Sequence, residues 1–370
     1  MSSPSTSQYG HNFALGLQAS PVLTDHDKRL LDAIHPAAII LFKSNFRQDA
    51  PYDDWLAEYA RLIEDVRRYI GREKFLIGID HEGGRVVRPP RPITVYDFPC
   101  NWVDEAAAVG RAVGIELSSL GVNVNFAPVV DIDTNPTNPV IAERAFSSDP
   151  KIVTRAAVAF LEAMQAEGVL ACPKHFPGHG DTDADSHFAL PHVDETIEEL
   201  RARELQPYAA VLSRVQLAMS AHVIYDNIDP EHPGTISSRI LTGVLRDELQ
   251  FGGAVISDDL GMKAISPYFD DPAAAPRAIA AGCDILAVCA HWTDTTRAYD
   301  LALAVSEAAS RDASLAATLE VSRARIERVL AAAREPRITR LPESVFEAHR
   351  TLAPLYTPGS GKREYTGISA

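Results

Sequence analysis

Residues 168–187 read G-V-L-A-C-P-K-H-F-P-G-H-G-D-T-D-A-D-S-H, and their reading decides the fold. Gly168 to Pro173 is a short apolar run, the pattern of a strand buried on both faces. Lys174 to His187 then holds one Lys, three His and three Asp in fourteen residues. Pro177, Gly178 and Gly180 impose irregular backbone there. A polar loop leaving the end of a buried strand is where rigid scaffolds carry chemistry.

Working outward, the same unit recurs. Eight apolar runs can be counted, at Phe13–Gln18, Ala38–Phe42, Phe75–Asp80, Val122–Pro128, Val169–Pro173, Gln216–Ala221, Gly253–Ser257 and Asp284–Cys289. Most are continuously apolar rather than alternating. Helical signals fall between them. Thr24 to Asp27 is a capping cluster before Lys28–Ile34, and Asp149-Pro150 opens a helix to about Glu167. Asp104–Leu120, Thr196–Arg214 and Ser238–Leu249 read as further helices. Eight β–α alternations predict an α/β fold, a closed (β/α)8 TIM-like barrel, in preference to an open doubly wound sheet. The expected organisation is a polar segment 1–11, one barrel domain 12–335 and a C-terminal tail 336–370. The tail is broken by Pro336, Pro342, Pro354 and Pro358 and reads as lying over the barrel or partly disordered.

In such a barrel, catalytic groups belong at the carboxyl ends of the strands. Strand three ends in Asp80, then H-E-G-G-R-V-V-R with Arg85 and Arg88. Strand four leads to Asp131 and Asp133, then Glu143-Arg144. Strand five ends in Lys174-His175, strand six in His222, strand seven in Ser257-Asp258-Asp259. The opposite strand ends are mostly Gly and apolar. This one-sidedness marks an enzyme. Several of these residues also have a structural reading. Asp131 and Asp133 fit turn stabilisers. Asp258-Asp259 also fits a helix cap before Leu260–Ala264; adjacent residues point apart, so one of the pair belongs in the pocket. His222 is either pocket wall or structural hydrogen-bonder, and Trp292 reads as a barrel-rim aromatic.

Composition narrows the function classes. The chain has 370 residues, 46% hydrophobic and 23% charged, with a net charge of −15. That acidity disfavours a nucleic-acid surface, which needs a concentrated basic patch. Cys100, Cys172, Cys283 and Cys289 form no C-x-x-C pair, which fits a reducing compartment. The polar N-terminus lacks a signal core, and no window approaches the roughly 18 apolar residues of a membrane span. A soluble cytoplasmic protein without membrane partners is the expectation.

The segments I-D-H-E-G-G-R-V-V-R (79–88), N-F-A-P-V-V-D (125–131), E-R-A-F-S-S-D-P (143–150), K-H-F-P-G-H-G-D-T-D-A-D-S-H (174–187), A-H-V-I-Y (221–225) and I-S-D-D-L-G-M (256–262) act together. In combination they resemble glycoside hydrolase family 3, in its β-N-acetylhexosaminidase branch (the NagZ type), over about residues 12–335. The resemblance implies a (β/α)8 barrel with no cofactor and no metal. It implies Asp258 as nucleophile and His187 as general acid/base, with Asp185 as its partner. It implies that Asp80, Arg88, Arg144, Lys174 and His175 bind the N-acetylglucosamine ring. His81 stands where Gln is frequent in this branch, and the tail beyond Leu341 matches no motif of it.

The chemistry fits those residue types. Retaining hydrolysis needs a carboxylate at the anomeric carbon and an acid at the leaving oxygen. A free imidazole titrates near ~6.5, so it can serve as acid and then as base. An aspartate beside it would fix the tautomer. The glycines at 178 and 180 fit a loop that closes over the site. Three rival readings stand, one of them a non-catalytic sugar-binding module, which would need neither Asp258 nor the Asp185–His187 pair. A neutral His acid/base repels phosphate less than a carboxylate would, so a phosphorylase of the same family is the alternative. A metal-dependent barrel hydrolase would draw ligands from His175, His179, Asp181, Asp185 and His187, against the repulsion of Lys174. The substrate implied by the resemblance is a carbohydrate, an N-acetylglucosaminyl-anhydromuramyl peptide fragment of the cell wall.

Overall fold

A computed structural model describes residues 5–182, 190–262, 265, 268, 270–289, 296–359 and 361. Each of the eight apolar runs contributes a strand. In chain order the strands are β1 (Phe13–Gly16), β2 (Ala38–Leu41), β3 (Leu76–Ile79), β4 (Val124–Asn125), β5 (Leu170–Ala171), β6 (His192–Val193), β7 (Leu217–Ser220), β8 (Ile224–Tyr225), β9 (Ala254–Ser257) and β10 (Leu286–Cys289). A parallel sheet runs β10-β1-β2-β3-β4-β5, and β7 pairs in parallel with β9. Two parallel bridges join these pieces, Phe176 with Ser220 and Ile256 with Ile285. The result is a closed ring of eight parallel strands, the expected α/β barrel.

Side chains alternate between two cores, as the period of two in a strand requires. Ile40, Leu76, Val124, Phe126, Leu170, Leu217, Met219 and Ile256 fill the barrel interior. Phe13, Leu15, Ile39, Ile77, Ala171, Val255 and Leu286 face the surrounding helices. Gly78 is small for a reason: a Cβ there would lie 2.6 Å from the Phe126 ring that plugs the barrel.

The helices start where the capping residues stand. Thr24 accepts from Asp27 N while Asp27 accepts from Thr24 N, opening the helix Asp25–Ile34. Asp149 caps the helix Pro150–Ala166, with Pro150 at its first position. Two expectations need correction. The helix read over Thr196–Arg214 is broken into Ile197–Ala202 and Leu205–Val211, because Arg203 leaves helical backbone at φ −136° and ψ −75°. The pair β6 and β8 lies outside the barrel and was not foreseen, since two-residue strands carry no readable period. No helix among the described residues is long and apolar enough to cross a membrane.

After the helix Ala313–Ala332 the chain turns back along the barrel. Ile338 bridges to Leu120, and the helix Glu343–His349 seats Phe346, fully buried, edge-on to Tyr52. At the seam where the barrel closes, Asp284 is buried. It accepts from Val255 N and pairs with Arg246 at 2.6 Å and Arg325 at 3.2 Å. Asp284→Ala leaves two guanidinium groups and a strand N–H without their acceptor. It is expected to cost about 3 kcal/mol, read as a lower urea midpoint at unchanged m-value.

Candidate active site

The period of two continues past the strand ends and decides what enters the barrel mouth. Leu76 and Gly78 line the β3 interior row, so Asp80 is its next member. Cys172 precedes Lys174 in the β5 row, and Ile256 precedes Asp258 in the β9 row. Three charged groups from three strands therefore converge over one apolar plug.

Asp80 and Lys174 belong to a chain of alternating charge. Arg88 donates to Asp80 at 3.0 Å, and Lys174 reaches Asp80 at 2.7 Å and Glu82 at 2.5 Å. Arg144 closes the chain on Glu82 through two parallel bonds of 2.8 Å each. Burial alone would drive the Glu82 carboxyl up; Arg144 and Lys174 outweigh it and hold Glu82 well below the ordinary range. Asp80 is likewise lowered, its burial outweighed by Lys174 and Arg88. Burial would lower Lys174, and the two carboxylates raise it instead. All five groups are charged, with three cations against two anions.

Beside the chain stands an imidazole pair. Asp131 is buried, accepts from His175 Nδ1 at 2.7 Å, and takes the backbone N–H of His175 and of His179. Holding Nδ1 leaves His175 Nε2 as the nitrogen open to a ligand. The His179 ring meets Thr182 Oγ1 at 2.9 Å and is pressed down to about 4, mainly by burial. The peptides Lys174–His175 and Phe176–Pro177 are cis.

Asp258 and its neighbour part ways. Asp259 Oδ1 accepts from Gly261 N and Cys289 N, each near 2.9 Å, so it ties the β9 turn to the end of β10. Burial pushes its carboxyl up to about 6. Asp258 accepts from Asp259 N at 2.8 Å. Burial would raise Asp258 too, but His175, His222 and Lys174 overcome it and hold the carboxyl down at about 2. His222 is buried, hydrogen-bonded between Thr235 Oγ1 and the Asp259 carbonyl, with its pKa lowered by burial. It is both a wall beside Asp258 and a structural hydrogen-bonder.

The predicted residues Asp80, Arg88, Arg144, Lys174, His175 and Asp258 thus share one mouth. Asp185, His187 and Trp292 lie outside the described residues. Glu82 and the partnership of Asp131 with His175 were missed. Glu82 was legible as the carboxylate beside Asp80, but no spacing rule announces a bidentate Arg144 from 62 residues away. Asp131 reads from sequence as a turn stabiliser; its carboxylate instead takes the backbone N–H groups of His175 and His179, 44 and 48 residues away, and orients an imidazole. Gly178 and Gly180 read from sequence as a closing loop, and the packing around Gly180 gives that glycine a second reason. A Cβ at Gly180 would lie 1.7 Å from the Ile132 carbonyl, and Asn138 binds the carbonyls of His179 and Gly180. These glycines permit close packing at the base of the loop.

His81 turns away from the mouth. Its Nε2 meets the Thr94 carbonyl at 3.2 Å, and burial lowers its pKa. Of the proposed metal ligands, His175 and His179 already commit Nδ1 to Asp131 and Thr182. A cleft of about 690 Å³ lined by Asp181, Asp194, Glu199 and Arg203 flanks the loop without including Asp258.

Residues 8–330 match the family described as glycosyl hydrolase family 3 N terminal domain. A β-hexosaminidase of Idiomarina loihiensis is 36% identical over 298 residues, which cover 78% of this chain and 87% of that protein. The structure of a family 3 β-N-acetylglucosaminidase from Paenibacillus superposes with a TM-score of 0.81 at 30% identity, over 94% of this chain and 68% of that one. NagZ from Neisseria gonorrhoeae, solved in complex with N-trifluoroacetyl-D-glucosamine, superposes at 0.70 and 28% identity over 92% and 96%. The chain belongs to glycosyl hydrolase family 3, in its β-N-acetylhexosaminidase branch.

Proposed function

We propose that this enzyme is a retaining exo-β-N-acetylglucosaminidase. It removes terminal N-acetylglucosamine from muropeptide fragments in the cytoplasm, as part of cell-wall recycling. One observation carries the reading. Asp258 is a carboxylate at a strand tip, ionised at any physiological pH, beside a charged chain of donors and acceptors spaced for sugar hydroxyls. The Neisseria relative's bound N-trifluoroacetyl-D-glucosamine supports an acetamido sugar as the glycone.

In this mechanism Arg88, Arg144 and Lys174 donate to the ring's oxygens, and Asp80 and His175 Nε2 accept from its hydroxyls. Groups built to meet particular hydroxyls reject sugars that lack them. Asp258 attacks the anomeric carbon as His187 protonates the departing oxygen, giving a glycosyl–Asp258 ester. His187, now neutral and partnered by Asp185, takes a proton from water. The hydroxide equivalent attacks the same carbon and releases Asp258. Asp131 and His222 are positioning residues: one orients His175, the other braces the turn bearing Asp258. Domain boundaries at 12–335 with a tail from 336 belong to the same proposal.

A 5-fluoro N-acetylglucosaminyl donor, which keeps the 2-acetamido group, should label the peptide containing Asp258, and the first-formed product should keep the β configuration. Asp258→Ala should remove turnover on every substrate. A first product of inverted configuration would end the retaining mechanism. Phosphate added to the assay separates the phosphorylase alternative: hydrolysis proceeds undiminished without it.

His187→Ala should reduce kcat on poor leaving groups by about 100-fold or more, the usual range of general acid catalysis. Activated aryl glycosides need little protonation and should lose far less. The sign of the pH dependence follows. The first step needs the imidazolium, so kcat/KM for poor leaving groups should fall as pH rises through the imidazole pKa. Asp258, held near 2, contributes no acid limb above about pH 4. Equal losses on both substrate types would overturn the acid assignment.

A further inference from the structure

The segment that matches no family motif contacts the sugar-binding arm directly. The arm runs from Asp80 through Arg88 and returns along residues 94–98. Its outgoing limb is held to the returning one by Gly84 N donating to the Tyr96 carbonyl at 2.8 Å. The C-terminal segment then adds a further strand. Leu355 bridges antiparallel to Tyr96, Asp97 N donates to the Pro354 carbonyl at 2.8 Å, and Tyr356 N donates to the Val95 carbonyl at 3.0 Å. Without that strand, the limb Val95–Asp97 would present unpaired backbone groups along an edge.

Side chains repeat the connection. The Tyr356 ring stands edge-on to Phe98 at 5.5 Å, and Arg85 of the arm lies over the same Phe98 ring at 5.8 Å. The Tyr96 hydroxyl donates to the His349 carbonyl. His349 Nδ1 meets Glu116 Oε1 at 2.7 Å, and Glu116 also accepts from Thr94 N and Oγ1. The Thr94 carbonyl in turn receives His81, which lies between Asp80 and Glu82. A continuous path therefore runs from the C-terminal helix to the two carboxylates of the charged chain. Farther along, Gly361 passes Glu143, the neighbour of Arg144: a Cβ on it would lie 3.1 Å from Glu143 Oε2.

We propose that residues 343–356 are a clasp that positions Asp80, Glu82 and Arg88 for the sugar ring. The clasp touches no substrate. It acts through the returning limb and through His81. This rests on the sugar-binding role just assigned to Asp80 and Arg88. Its signature is kinetic. Those residues grip the ring in ground and transition state alike, so loosening them weakens binding more than it slows the bond change.

Three full-length variants test it. Tyr356→Pro deletes the N–H given to Val95, His349→Ala deletes the partner of Glu116, and Tyr356→Phe retains ring and backbone bond. The first two should raise KM for an aryl N-acetyl-β-glucosaminide by about 5-fold or more with kcat changed less than about 2-fold, while Tyr356→Phe stays at the native value. Amide hydrogen exchange within 82–98 should quicken in the first two alone, whatever the substrate turns out to be. Unchanged exchange in that arm overturns the clasp. So does faster exchange with an unchanged KM on a substrate the native enzyme turns over. A native enzyme that fails to hydrolyse the glycoside would instead remove the functional reading, and the exchange arm would still decide the clasp.

Discussion

Lys174 is the group on which the site depends. It sits 3% exposed at the end of β5, between two carboxylates that arrive from the end of β3. Without a cation there, Asp80 and Glu82 would face one another as buried like charges. Arg88 and Arg144 would still pair with one carboxylate each, but repulsion between the two would push both toward protonation. With Lys174 in place both stay ionised, each recruits an arginine, and three strands are bound across the mouth. The cost of burying five charges is met by mutual pairing, which also makes the arrangement intolerant of losing any one member.

That constraint explains the state of Asp258. The chain carries one excess positive charge, and two imidazoles stand beside the carboxylate. A buried aspartate in apolar surroundings would be protonated. Here the surrounding field overturns the desolvation penalty and holds the group at about 2. Asp259 is the internal control: one residue away, bonded to backbone amides and turned from Lys174, it is pushed up to about 6 instead. The same residue type, adjacent in sequence, is set to opposite tasks by what it faces.

Much of this was legible in the sequence. The eight apolar runs became the eight barrel strands because strands buried on both faces must be apolar throughout, whatever lies between them. The interior row then carries Asp80, Lys174 and Asp258 into the mouth by simple alternation. What was illegible is long-range pairing. Glu82 with Arg144, and Asp131 with His175, join residues from different strand ends, and no local periodicity encodes such a match. The break at Arg203 and the pair β6–β8 escaped for a related reason: tertiary contacts decided them, and local propensity did not. Gly178 and Gly180 looked like hinges because glycine is compatible with motion. The carbonyl of Ile132, 1.7 Å from where a Cβ of Gly180 would stand, shows that close approach also requires a glycine there.

The C-terminal segment shows how a barrel enzyme can be adjusted without touching its catalytic groups. Strand tips are rigid, so Asp258 at the end of β9 needs little help. The arm from Asp80 to residue 98 is different: it leaves the barrel and returns, and although Gly84 and Glu116 hold its returning limb, the edge Val95–Asp97 needs a further neighbour. A strand borrowed from the far end of the chain supplies that neighbour, and the seated Phe346 keeps it in place. Closing so long a loop costs entropy only logarithmically in its length, so distance along the chain is a small obstacle. The position of His81 fits the same logic. It turns its ring from the mouth toward Thr94 and Glu116, so the residue between Asp80 and Glu82 couples the charged chain to the clasp rather than to the sugar.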